Sequence, residues 1–290
     1  MTCILSANIM AASDTLNPTT HPVNTNKITN HEEPKDMQWQ GFYIGANAGG
    51  WWSTNNSVNS TGISSYINGN FIGSTNIANA LAIIGTNNFL ISSQGFIGGG
   101  QVGYNHLFRD NLVIGLDLDM NGLTNQKQNI SATKMVNLVN FAEHYNSSMF
   151  FTKNIDYIGT VRGRLGMLLK PTLLLYGTAG LAYGGISFGT AYNASESLAP
   201  PNYDPVIMQN NIKTTRAGWT AGGGLEWMFR PNWSAKIEGI YYDLGTINNN
   251  VTLSQISNLP LQPVVWGAAN VNAATTFTSG AIRVGLNYHC

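Results

Sequence analysis

The sequence predicts an all-β chain, an eight-stranded antiparallel up-and-down barrel with apolar strand faces turned to a membrane, and three observations carry that expectation. After about residue 39, stretches a dozen or so residues long alternate apolar and polar side chains with period two. The gaps between them are alternately long and short. Only 10% of the residues are charged, with 14 basic and 14 acidic, against about 25% in an ordinary soluble domain. Mean hydropathy near zero argues against stacked apolar helices. The balanced charge, with no basic run, excludes nucleic acid as a partner.

The candidate strands are 40–52, 94–108, 112–123, 154–169, 173–189, 214–229, 233–246 and 277–290. Three short joints connect alternate pairs: Arg109-Asp110-Asn111, Lys170-Pro171-Thr172 and Arg230-Pro231-Asn232. Each carries the Pro, Asp or Asn chemistry of a tight turn. The other joints, 53–93, 124–153, 190–213 and 247–276, are long and rich in Asn, Ser and Thr. Four long loops at one end, with three short turns and both termini at the other, describe a barrel of even strand number. In bacterial barrels the short turns lie in the periplasm and the long loops outside.

Each strand offers one apolar and one polar face. In 112–123, Leu112, Ile114, Leu116, Leu118 and Met120 oppose Val113, Gly115, Asp117, Asp119 and Asn121. In 154–169, Ile155, Tyr157, Val161, Leu165, Met167 and Leu169 oppose Asp156, Thr160, Arg162 and Arg164. In 214–229, Trp219, Ala221, Leu225, Trp227 and Phe229 oppose Thr220, Gly222, Gly224 and Glu226. In the last strand Ile282, Val284, Leu286 and Tyr288 oppose Arg283, Gly285, Asn287 and His289. Measured from the short turns, Asp117 and Asp119 lie at the heights of Arg164 and Arg162. With Glu226, Lys236, Glu238 and Arg283 they make a set whose charges cancel, as an enclosed polar lumen requires. Scattered surface pairs, each contributing about 0–1 kcal/mol, are the alternative.

Length agrees with a membrane band. From Trp219 to Phe229 a strand covers about 33 Å, which a tilt of roughly 40° reduces to about 25 Å. Trp219 then marks one interface and Phe229 the other. Phe108, Trp233 and Tyr288 join Phe229 in the periplasmic aromatic girdle, and Trp51, Trp52 and Tyr241 lie towards the outer one. The uncharged run 171–191 is long enough for a transmembrane helix, but its glycines and opening turn fit a strand and loop entrance.

Residues 1–12 (MTCILSANIMAA) resemble the last part of a secretory signal peptide without a basic start. Residues 13–38 are polar and aperiodic and read as a flexible arm. The barrel domain is 39–290. Cys3 and Cys290 stand at opposite ends of the chain and form neither a disulfide framework nor a metal motif.

Six stretches in order carry a family resemblance: WQGFYIGANAGG (39–50), GFIGGGQVGYN (95–105), LVIGLDLDMNG (112–122), YIGTVRGRLGMLL through LLLYGTAGLAYGG (157–185), GWTAGGGLEWMF through NWSAKIEGIYYDLG (218–245) and IRVGLNYHC (282–290). The chain resembles the small outer-membrane β-barrel family that includes the OmpA membrane domain and the immunogenic porin-like surface antigens of Gram-negative bacteria. That resemblance implies a bacterial outer-membrane location, contact with lipid and lipopolysaccharide, and insertion by the barrel-assembly machinery. It also implies a terminal outward-facing aromatic, where this chain instead ends in Cys290.

No catalytic, cofactor or metal site is expected. The histidines His21, His31, His106, His144 and His289 show no spacing to a nucleophile and an orienting acid. An eight-stranded interior is filled by its own side chains, so no wide pore is expected either. The function expected is therefore that of a structural, surface-exposed porin-like antigen. Its long loops are candidates for contacts with host-surface or envelope components. A small-solute channel and a soluble lipocalin-like carrier, with apolar faces turned inward, are the alternatives.

Overall fold

A computed structural model describes residues 39–70, 73–108, 111–124, 129–138, 143–197, 204–258 and 263–290. The signal-like segment 1–12, the arm 13–38 and turn residues Arg109 and Asp110 lie outside the described residues. The described chain is all-β and antiparallel apart from one helix. Its elements are β1 (Gly41–Ser53), β2 (Ser57–Ile67), α1 (Ser74–Gly85), β3 (Asn87–Leu90), β4 (Gln94–Phe108), β5 (Leu112–Leu123), β6 (Asn129–Asn137), β7 (His144–Lys170), β8 (Leu173–Glu196), β9 (Val206–Arg230), β10 (Trp233–Asn258) and β11 (Pro263–His289). Pairing runs β1–β4–β5–β7–β8–β9–β10–β11 and returns from β11 to β1, so the sheet closes on itself. β2 and β3 attach beside β11, and β6 attaches to β7. The uncharged run 171–191 is a turn followed by β8, and among the described residues no helix is long and apolar enough to cross a membrane.

The four expected long loops require correction. Among the described residues there are eleven strands, eight of them in the closed ring, and much of the long joints is strand. β7 starts at His144, β8 continues to Glu196, β9 starts at Val206, and β10 and β11 continue to Asn258 and from Pro263. Many of the Asn, Ser and Thr of these stretches line the wet face of strands whose other face is largely apolar, although Ser147, Thr190, Asn249 and Thr275 are buried. In β8 above Gly185, Ile186, Phe188, Tyr192 and Ala194 are buried while Asn193 and Ser195 are exposed.

The barrel is thus inside-out near the short turns and conventional at its far end. Near the short turns Leu116, Leu165, Leu225, Trp227 and Ile282 face outward and the charged residues inward. At the far end apolar residues face inward. β8 makes the change in its sequence: outward apolar residues sit at odd positions through Tyr183 and inward ones at even positions from Ile186. β7 and β10 make it with bulges. The β7–β8 register shifts between Ile155 and Tyr157, which expels Asp156 and turns the odd-numbered apolar row from outward to inward. Ile155 is therefore buried and Asp156 exposed, the reverse of the assignment from unbroken alternation. In β10 the shift lies between Asp243 and Thr246, where Gly245 adopts φ 79°, a left-handed conformation that glycine accepts without strain. Below it Ile237 faces out; above it Ile247, Val251 and Leu253 face in.

At this level the wall also divides. β4 and β5 end, and β9–β10 pairing stops at Trp219 opposite Asp243. Beyond it the strands form two groups, β6–β7–β8–β9 and β3–β2–β11–β10. Side chains bridge the parted strands: Arg216 Nη2 donates to Thr246 O at 2.8 Å, and Asn210 Nδ2 to Asn249 Oδ1 at 2.7 Å. Between the groups lies an apolar core that α1 completes with Ile77, Leu81 and Ile84.

Candidate functional site

The interior is the place where sequence and structure concentrate chemistry, and it is filled in three tiers. At the short-turn end Trp39, just ahead of β1, folds across the opening onto Val113, Leu174, Tyr176 and Met228. Its Nε1 donates to Pro171 O at 2.8 Å and its ring meets His289 edge-on at 6.0 Å.

The middle tier is ionic. Arg162 Nη2 lies 2.8 Å from Asp119, Arg283 bridges Asp119 (2.8 Å) and Glu238 (2.5 Å), and Lys236 Nζ reaches Glu238 at 3.2 Å. Arg164 pairs with Glu226, and its guanidinium stacks 3.8 Å from the Tyr176 ring. Glu226 also accepts from Ser234 and Asn287 at 2.5 and 2.7 Å. Multiple donors on each carboxylate are what make such burial tolerable, because an ion without partners costs several kcal/mol. Asp117 is different. It lies opposite Arg162 in the ladder, yet the nearest guanidinium nitrogen is 3.9 Å away and neither of its oxygens has a hydrogen-bond partner among the described residues.

The upper tier is apolar and holds one ammonium. Lys153, buried on β7, donates to Asn55 O at 2.9 Å and Thr276 O at 2.6 Å and lies 4.9 Å above the Phe277 ring. No carboxylate pairs with it among the described residues. Burial pulls its pKa down to about 8. An unfolded Lys153 still binds its proton between that value and the ordinary 10.5, so unfolding takes up a proton in this window and stability rises with pH across it. Amide exchange in the far-end core should therefore slow as pH goes from 8 to 10.5, after correction for intrinsic rates. A Lys153→Met variant should show no such slowing; an identical profile in both proteins would refute the assignment. At the far tip Glu196 behaves oppositely: burial first, then the neighbouring Glu143, push its carboxyl up to about 7.

No family model matches the chain. Two relatives do, each named 31 kDa outer-membrane immunogenic protein, from Brucella melitensis biotype 1 and Brucella suis biovar 1. Each is 31% identical over 290 residues, covering 99% of this chain and 93% of the relative. The chain belongs to the family of the 31 kDa outer-membrane immunogenic protein. Membership in that family makes it a surface β-barrel of the Gram-negative outer membrane. Solved structures similar to it include the attachment invasion locus protein Ail of Yersinia pestis, at 10% identity and TM-score 0.30 over 84% of this chain and 99% of Ail. OprG of Pseudomonas aeruginosa gives 11% and 0.35 over 87% and 97%. In this family member the fold rests on its own strand pairings.

Of the charged residues singled out from sequence, the structure brings Asp119, Arg162, Glu238, Lys236 and Arg283 into one connected group and Arg164 and Glu226 into a second. Asp117 is within neither by hydrogen bonding. Among the aromatics, Trp52, Phe108, Trp219, Phe229, Trp233 and Tyr288 are exposed on the outer wall. Trp233 and Tyr288 are cross-strand partners with ring centroids 5.2 Å apart, and Trp219 lies 5.3 Å from the half-buried Tyr241. Trp51 is a correction. It is 2% exposed and its Nε1 points at Thr124 O, because neighbours on one strand face opposite sides and Trp52 takes the outward position. Sequence reasoning missed Trp39 and α1. The helix had a signal in the i, i+4, i+7 spacing of Ile77, Leu81 and Ile84.

Proposed function

We propose that eight strands, β1, β4, β5, β7, β8, β9, β10 and β11, cross the outer membrane as a closed cylinder. The short turns face the periplasm and the long strand ends stand at the cell surface. The protein is a structural surface antigen, not an enzyme, and it is no wide pore. One observation carries this reading: apolar cork, ion pairs and apolar cap fill the interior at successive heights. An eight-stranded interior leaves room for little else. The charged residues are the lumen's filling, and the exposed aromatics anchor the two interfaces. The carrier alternative needs apolar faces around a central ligand near the short turns, where Leu165, Leu225 and Trp227 instead face out.

In planar bilayers the purified protein should give no large, stable conductance steps, and such steps would overturn the closed-lumen reading. Protease on intact cells should cut only in the far half and spare Pro171 and Pro231. Cleavage at either turn would reverse the orientation. A small-solute leak is the second reading. It is favoured by Asp117, Asn105, Tyr43 and Arg164, which share one stretch of inner wall and keep buried polar atoms without partners among the described residues. Buried groups of this kind take water.

A further inference from the structure

The outer face of β6–β7–β8–β9 has a composition that the barrel does not need. Register places Phe150 between Ser131 and Ala191 in one rung. The rung on the tip side holds Thr133, Ser148, Asn193 and the exposed Ile207, and the rung on the membrane side Asn129, Thr152, Gly189 and Asn211. Across these three rungs no outward position is charged. Phe150 is 48% exposed and its rung neighbour is the small Ala191. A depression lies on each side of it, one of about 390 Å³ beside Ser148 and Asn193, the other of about 330 Å³ beside Thr152 and Asn211. At the second, the Asn211 and Thr152 side chains close over Gly189, where a Cβ would fall 2.3 Å from Asn211 Oδ1 and 2.5 Å from Thr152 Oγ1, and Asp156 and Lys213 line its membrane side.

We propose that this face binds the uncharged sugar chain of the lipopolysaccharide that surrounds the barrel. Amide and hydroxyl side chains both donate and accept, as ring hydroxyls require, and an exposed aromatic ring covers the C–H face of a sugar. Uncharged rungs give neither an anionic nor a cationic partner anything to pair with. The membrane-proximal edge carries the charges. There Asp156 accepts from Asn154 at 2.5 Å, and exposed Lys213, opposite Ser187 in the ladder, presents an ammonium. That edge sits just above Tyr157 and Tyr183, at the height where the phosphorylated base of lipopolysaccharide leaves the membrane. From Asn154 to Asn146 the face is about 26 Å long, room for a short oligosaccharide. The proposal rests on the outer-membrane, long-ends-outward reading above.

The test uses the full chain refolded in detergent and polysaccharide freed from lipid A by mild acid, titrated by saturation-transfer NMR. Saturable binding is expected, weakened about tenfold or more in Phe150→Ala and in Asn193→Leu. Both residues are exposed, and a heat-modifiable gel band verifies the fold of each variant. No saturable binding, equal affinity in the variants, binding of intact lipopolysaccharide only, or binding of anionic polysaccharides only would each overturn it. Any of these in a folded, non-conducting barrel leaves the closed-lumen reading standing, whereas conductance steps would remove that reading and not this one.

Discussion

Arg283→Met is expected to destabilise the barrel by about 3–5 kcal/mol. Its guanidinium is fully buried and joins two buried carboxylates, Asp119 and Glu238. Methionine fills a similar volume but takes one donor from each of two buried carboxylates, and leaves the lumen, whose four acids and four bases otherwise cancel, with one excess negative charge. Breaking one side of a buried pair is costly for that reason, even where the pair itself adds little over an apolar replacement. Asp117→Asn should cost below about 1 kcal/mol, since no hydrogen bond is lost and the nearest cation is 3.9 Å away. Urea titration of the refolded protein, read by heat-modifiable migration, measures both. The order matters more than the size: if Asp117→Asn were the more damaging, the connectivity of the network would be misassigned. Combining Arg283→Met with Asp119→Asn should cost less than the sum of the two changes, because one removes the charge that the other strands.

The charge cluster was legible because ions on a strand face declare themselves. Asp117, Asp119, Arg162 and Arg164 lie at matching distances from short turns, and only a closed ladder makes that coincidence useful. The outward positions of Trp219, Phe229, Trp233 and Tyr288 were legible from alternation. Two bulges hid the far half. In β7 the apolar row keeps to odd positions on both sides of Asp156, from Leu169 through Tyr157 and again at Ile155, Phe151 and Met149, so parity does not reveal that the row turns from outward to inward there. Unbroken periodicity fixes which residues share a face only while the register holds. In β8 the change was readable, since apolar residues move from odd to even positions across Gly184 and Gly185. The abundance of Asn, Ser and Thr led to the far halves being read as loops, although in β8 Asn193 and Ser195 alternate with the buried Tyr192 and Ala194.

That alternation gives the far half a conventional core, and the core makes its own prediction. Phe151→Ala is expected to cost about 3–5 kcal/mol, confined to the cap. Phe151 is buried on β7, with Phe89 of β3 at 4.8 Å and Tyr192 of β8 at 5.8 Å, so it ties together the two strand groups that part above Trp219. Its loss leaves a cavity that α1 cannot follow, because Ser60 holds the end of that helix through Gly85 O while Lys134 donates to Ile83 O at 2.8 Å. The membrane zone shares none of these contacts and keeps its ion pairs. The variant should therefore migrate as a folded, heat-modifiable barrel while surface protease cuts its far half many times faster than in the parent. Loss of the folded band together with the cap would mean that the two zones unfold as one unit. Unchanged cleavage would mean that the apolar far end contributes no stability of its own, and that its strands are held up from below by the barrel alone.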